Sequence, residues 1–98
     1  MTRRLSTHEH EIEDAAIARF AEAGHVCLKF VSPGFPGVPD RLVITAKGRV
    51  LFLEFKAPGQ KPRRSQPAVI RMLRDMGHRV ELVDTHAQVD TLLKELAA

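Results

Sequence analysis

Three charged residues near the middle of the chain, Asp40, Glu54 and Lys56, have the types and spacing to do chemistry together. Asp40 follows Gly37-Val38-Pro39, thirteen residues separate it from Glu54, and Lys56 stands two positions further on. Carboxylates are the oxygen donors that hard divalent cations prefer. An ammonium beside them can offset negative charge that gathers on an anionic substrate. Either half alone says little, because a Pro-Asp pair is common in turns and Glu-x-Lys on a strand is more often a surface ion pair. The two halves acquire meaning only if the fold brings them to one place.

The elements that must do this are legible. Ser6 with Glu9 three positions later fits a capping box, and Ile12, Ala16, Phe20 and Ala23 recur at helical spacing, which predicts a helix from Ser6 or Thr7 to Gly24. Val26 to Val31 reads as a strand with Val26, Leu28 and Phe30 on one face. The segment Ser32-Pro33-Gly34-Phe35-Pro36-Gly37-Val38-Pro39 holds three prolines and two glycines in eight residues, so it forms an irregular loop, from which Asp40 emerges at the mouth of a second strand, Arg41 to Thr45. Ala46-Lys47-Gly48 turns the chain into a third strand, Arg49 to Lys56.

That third strand carries Leu51, Leu53 and Phe55 on one face and Val50, Phe52, Glu54 and Lys56 on the other. The second face starts apolar and ends charged, which fixes a carboxylate and an ammonium side by side on a rigid element. Ser65 or Gln66 with Pro67 opens a helix bearing Val69, Ile70, Leu73 and Met76, and Gly77 closes it. A strand from His78 to Asp84 follows, and Thr85 with Gln88 caps a last helix carrying Val89, Leu92, Leu93 and Leu96. The order αβββαβα, with a tight turn between strands two and three and a helix between three and four, predicts an α/β fold. Its sheet is mixed, antiparallel at the turn and parallel across the helix, with helices packed against it.

Composition narrows the function classes. At 98 residues the chain suits one compact domain spanning 1–98, and 44% hydrophobic with 28% charged residues is the balance of a globular protein. No apolar run nears the roughly 18 residues that cross a bilayer, and the first residues lack the apolar segment of a signal peptide, so the expected location is cytoplasmic. Cys27 is the only cysteine, which excludes an internal disulfide and a cysteine-based zinc site. The histidines, His8, His10, His25, His78 and His86, are not spaced as a ligand set. Lys56, Lys61, Arg63 and Arg64 fall within nine positions, which favours a polyanionic partner, with an ordinary solvated surface as the equal alternative. Tryptophan and tyrosine are absent, which argues against a platform of stacked single-strand bases.

Gly37-Val38-Pro39-Asp40, then Glu54-Phe55-Lys56 at the end of an apolar strand, then Gln66 beyond a basic loop, resembles the PD-(D/E)XK nuclease superfamily. More narrowly it resembles the VRR-NUC family, whose small stand-alone members occur in phages and bacteria and behave like Holliday-junction resolvases. The likeness covers nearly the whole chain and implies a restriction-endonuclease-like core. It also implies a Mg²⁺- or Mn²⁺-dependent endonuclease, since hydrolysing a phosphodiester needs a hard cation to polarise the phosphate and acidify an attacking water.

On that likeness Asp40 and Glu54 are metal ligands, the backbone carbonyl of Phe55 is another, and Glu11 contributes directly or through water, with Glu13 as the fallback. Lys56 orients the nucleophile and offsets charge. Gln66 orients Lys56, water or phosphate, unless it is simply a helix cap. Lys61, Arg63 and Arg64 grip flanking phosphates without reading sequence. The implied substrate is branched DNA, cut by a homodimer because a four-way junction has twofold symmetry. The competing readings are a DNA-binding module of the same fold that does not cut, and a flap or nicking nuclease. The implied setting is a bacterial or phage-infected cytoplasm.

Overall fold

The computed structural model describes residues 2–57 and 65–98, with side chains from residue 10 onward. Its elements run α1 (Thr2–Glu22), β1 (Val26–Lys29), β2 (Arg41–Ile44), β3 (Val50–Phe55), α2 (Gln66–Asp75), β4 (Arg79–Val83) and α3 (His86–Ala97). This is the expected αβββαβα order. The sheet order is β1-β2-β3-β4, antiparallel in the first two pairings and parallel between β3 and β4. Among the described residues no helix is long and apolar enough to cross a membrane.

Most boundaries shift by a residue or two from the sequence reading, and two of the shifts have plain physical reasons. Helix α1 begins at Thr2, ahead of the expected start at Ser6 or Thr7. Thr2-Arg3-Arg4-Leu5 contains no glycine or proline to stop a helix, so a residue able to cap is carried inside it. Strand β1 ends at Lys29 instead of Val31, because Arg41, the first residue of β2, is its partner there.

Alternation in the strands decides what is buried. Val43, Leu51, Leu53, Phe55 and Val83 point to one face, where Ile12, Ala16 and Phe20 of α1 and Val89 and Leu92 of α3 close the core, with Cys27 packed at its edge. The inward residue of β1 is therefore Cys27, while Val26 and Leu28 point to the other face. Burial pushes the Cys27 thiol above its ordinary 9.0, so it stays protonated. Helix α2 buries Val69 and Ile70 and packs beside β4, but Met76, expected on its apolar stripe, is two-thirds exposed at the last turn.

Part of that second face, away from α2, is open. Val26, Ile44 and Val50 are cross-strand partners in β1, β2 and β3. With Leu28 they remain 42–50% exposed. The hairpin between β2 and β3 turns at Gly48, whose φ of +82° favours glycine, and Thr45 closes it by accepting the amide of Arg49 on its Oγ1 at 2.9 Å. Helix α3 starts on the expected capping box: Thr85 Oγ1 accepts from the Gln88 amide at 3.2 Å, and Gln88 Oε1 accepts from the Thr85 amide at 3.0 Å.

Candidate active site

Register brings the first carboxylate to the second. Arg41 pairs with Leu53, so Asp40, one residue earlier, stands across from Glu54. The Asp40 backbone amide donates to Glu54 Oε1 at 2.9 Å, which ties the two strands at this point. Lys56 follows Glu54 at the strand period of two, on the same face, and its Nζ lies 3.1 Å from Glu54 Oε2. Its backbone is held as firmly, since the Lys56 amide donates to the Val83 carbonyl at 2.9 Å and prolongs the parallel ladder past β3. Glu54 and Lys56 are 2% and 7% exposed, so this is an ion pair removed from water.

Such a pair sits in electrostatic tension. The carboxyl of Glu54 titrates above its ordinary 4.5, first because burial penalises its charged form and next because the Asp40 carboxylate is close. Lys56 and the Asp40 amide pull the other way, and burial with Asp40 prevails. A divalent cation would relieve the stress that two converging carboxylates create. The donor set is oxygen only, which fits a hard ion of the magnesium kind. Among the described residues no group of three His, Cys, Asp or Glu side chains could hold a metal. The carboxylates brought together are two, a number that would suffice for an ion that keeps several waters.

The structure orients the two helix glutamates differently. In the structure Glu11 and Ala18 are exposed and Ala15 is half-buried, so that face looks outward. Glu13 is the acidic side chain turned to the sheet, and its Oε2 lies 2.6 Å from the Nε of Arg41, which follows Asp40 in the chain and points to the core face. Two residues on a helix are about 200° apart, so only one of the pair can face inward. The signal was available: Glu13, Ala16 and Phe20 are spaced three and four apart on the buried stripe, and Glu11 is not.

Gln66, the first residue of α2, is fully buried. The start of α2 also clamps the irregular loop. Gly37 has φ +97°, and a Cβ there would meet the Ser65 carbonyl at 2.8 Å and Val69 Cγ2 at 2.9 Å. Only glycine fits so close a crossing. At the other end of the loop the Phe30 amide donates to the Asp40 carbonyl at 2.7 Å. Asp40 is thus fixed by β2 on one side and by a pinned loop on the other.

Lys61, Arg63 and Arg64 lie outside the described residues. Of the histidines, His25 is structural: it is buried, its Nδ1 accepts the Ala46 amide at 2.9 Å, and its ring meets that of Phe20 edge-on.

Comparison with known proteins agrees with this architecture. The VRR-NUC domain model matches residues 5–87. A protein of Acyrthosiphon pisum secondary endosymbiont phage 1, named "Putative nuclease p44", is 42% identical over 77 residues, which cover 79% of this chain and 83% of that protein. A solved structure described as a VRR_NUC domain superposes with a TM-score of 0.82 at 32% identity, covering 89% of this chain and 95% of the other. With a family model spanning most of its length, the chain belongs to the VRR-NUC domain family.

Proposed function

We propose that the protein is a metal-dependent endonuclease that hydrolyses DNA phosphodiester bonds and selects branched DNA. The observation that carries this reading is the meeting of Asp40, Glu54 and Lys56 on one end of one sheet face, with Glu54 in contact with both neighbours. In it Asp40 and Glu54, with the Phe55 carbonyl, would hold Mg²⁺ or Mn²⁺. Such an ion would supply Lewis acidity to the scissile phosphate and make water a readier nucleophile. Lys56 donates to the phosphate or to the attacking oxygen, and Gln66, buried at the head of α2, orients it. Glu13 acts at one remove, fixing the start of β2 through Arg41. Cleavage unchanged in Glu11→Ala and reduced in Glu13→Ala is the outcome this assignment expects.

A homodimer is part of the proposal. It is supported by the uncovered apolar half of the sheet, since monomers seldom leave so continuous a neutral patch in water. The test is a panel of labelled four-way junction, flap, nicked and linear duplex DNA incubated with Mg²⁺ or Mn²⁺ and with EDTA. Paired symmetric cuts in the junction only when metal is present are expected. Binding with no cutting of any substrate would make the protein a binding module, and cuts confined to the flap would make it a processing nuclease.

A further inference from the structure

Beside the paired carboxylates the irregular loop encloses a cleft of about 320 Å³, and its lining includes Lys29, Ser32, Phe35, Gly37, Asp40 and Ser65. Three features bear on what it holds. It shares Asp40 with the candidate active site, so whatever fills it is a direct neighbour of the reacting group. It is preformed, because the Gly37 crossing against Ser65 and the Phe30 to Asp40 hydrogen bond anchor both ends of the loop, and the Phe35 amide closes a turn on the Ser32 carbonyl at 3.1 Å. Its lining is mixed: two hydroxyl-bearing serines and the ring of Phe35, which stays 46% exposed on that anchored loop, with Lys29 contributing at the strand end while its side chain follows Cys27 to the other face.

An exposed aromatic ring on a rigid loop, with hydroxyls around it, is the chemistry that takes a nucleotide: stacking for the base and hydroxyl donors for the phosphate. We propose that this cleft receives the nucleotide adjoining the scissile phosphate with its base out of the helical stack and against Phe35, the hydroxyls of Ser32 and Ser65 donating to the neighbouring phosphate. A base must leave its stack to enter. That is least costly where pairing is already interrupted, as at a branch point, and costly within continuous duplex. Phe35 thereby becomes a specificity-determining residue: preference for DNA structure over sequence follows, because any base presents a face to the ring. One ring accommodates one base, which agrees with the lack of tryptophan and tyrosine.

The proposal rests on the reading of Asp40 and Glu54 as the cutting site, and its test is separable from that reading. Four-way junctions carrying 2-aminopurine at successive positions around the branch are mixed with the protein in EDTA, so that nothing is cut. Wild type is expected to brighten one position, as that base leaves its neighbours. Phe35→Ala should lose the brightening and Phe35→Tyr should retain it. In the presence of metal, Phe35→Ala should raise KM for the junction about tenfold with kcat little changed, the scale of one base–aromatic contact. Its melting temperature should match wild type, since the ring is nearly half exposed. Brightening at no position, or equal brightening by wild type and Phe35→Ala, overturns the cleft whether or not the protein cuts. Failure of wild type to cut, with the brightening intact, overturns the nuclease reading and leaves the cleft standing.

Discussion

At the scale of single residues, Glu54 holds the site together: one oxygen accepts the Asp40 amide while the other faces Lys56. Lys56→Ala removes the cation from a buried carboxylate, which should cost about 3 kcal/mol of stability in metal-free buffer by urea unfolding. It should abolish cutting while a metal-induced rise in melting temperature persists. Asp40→Asn should abolish both the metal-induced rise and cleavage, with DNA affinity in EDTA nearly unchanged; a normal metal response would sink the ligand assignment.

The pH dependence has two opposed parts. Since Glu54 titrates above 4.5 in the folded protein, the folded state binds more protons than the unfolded chain between that value and the raised one. Its contribution therefore favours folding in acid and is withdrawn as the pH rises through the folded pKa. Metal binding needs the ionised carboxylate and runs the other way. The metal-induced rise in melting temperature should fade on acidification at a pH above 4.5, and a response undiminished down to that pH would contradict it. At this scale strand period set Glu54 and Lys56 side by side, and the family likeness joined Asp40 to them. The sequence could not orient Glu11, because three alternate glutamates, Glu9, Glu11 and Glu13, look alike until the stripe through Ala16 and Phe20 is extended back to position 13.

At the scale of elements, the loop from β1 to β2 was legible as irregular from its prolines and glycines, but not as anchored. Nothing in the residues between Ser32 and Pro39 reveals that Gly37 lies against the start of α2, because that contact joins segments far apart in the chain. Gly37→Ala tests it. The positive φ and the sub-3 Å approach to a carbonyl together should cost about 2–3 kcal/mol in urea unfolding and loosen Asp40, so cleavage falls more than DNA binding does. A variant as stable and active as wild type would show that the loop gives way without consequence. The caps were easier to read, since Thr85 and Gln88 act within four residues of each other.

At the scale of the whole molecule, the αβββαβα order and the mixed sheet followed from turn length and crossover rules, which need no knowledge of side-chain contacts. Which half of the second face α2 covers did not follow, because the length of a connection does not say where its helix settles. It settles beside β4 and leaves Val26, Leu28, Ile44 and Val50 outside. Ile44→Lys places a charge in the middle of that row. If two copies meet there, sedimentation should shift from dimer to monomer while the isolated fold melts almost as before. A dimer that survives the substitution would move the interface elsewhere.

The turn at Ala46 to Gly48 joins the ends of β2 and β3 opposite to those that carry Asp40 and Glu54. The length of a hairpin separates it from the carboxylates, and Ala46, Lys47 and Gly48 are all exposed. That makes it the natural attachment point for a reporter: a dye coupled to a cysteine substituted for Lys47, or a surface tether placed there, leaves the cutting end unobstructed. Single molecules held by this pole would present the carboxylates outward to passing DNA.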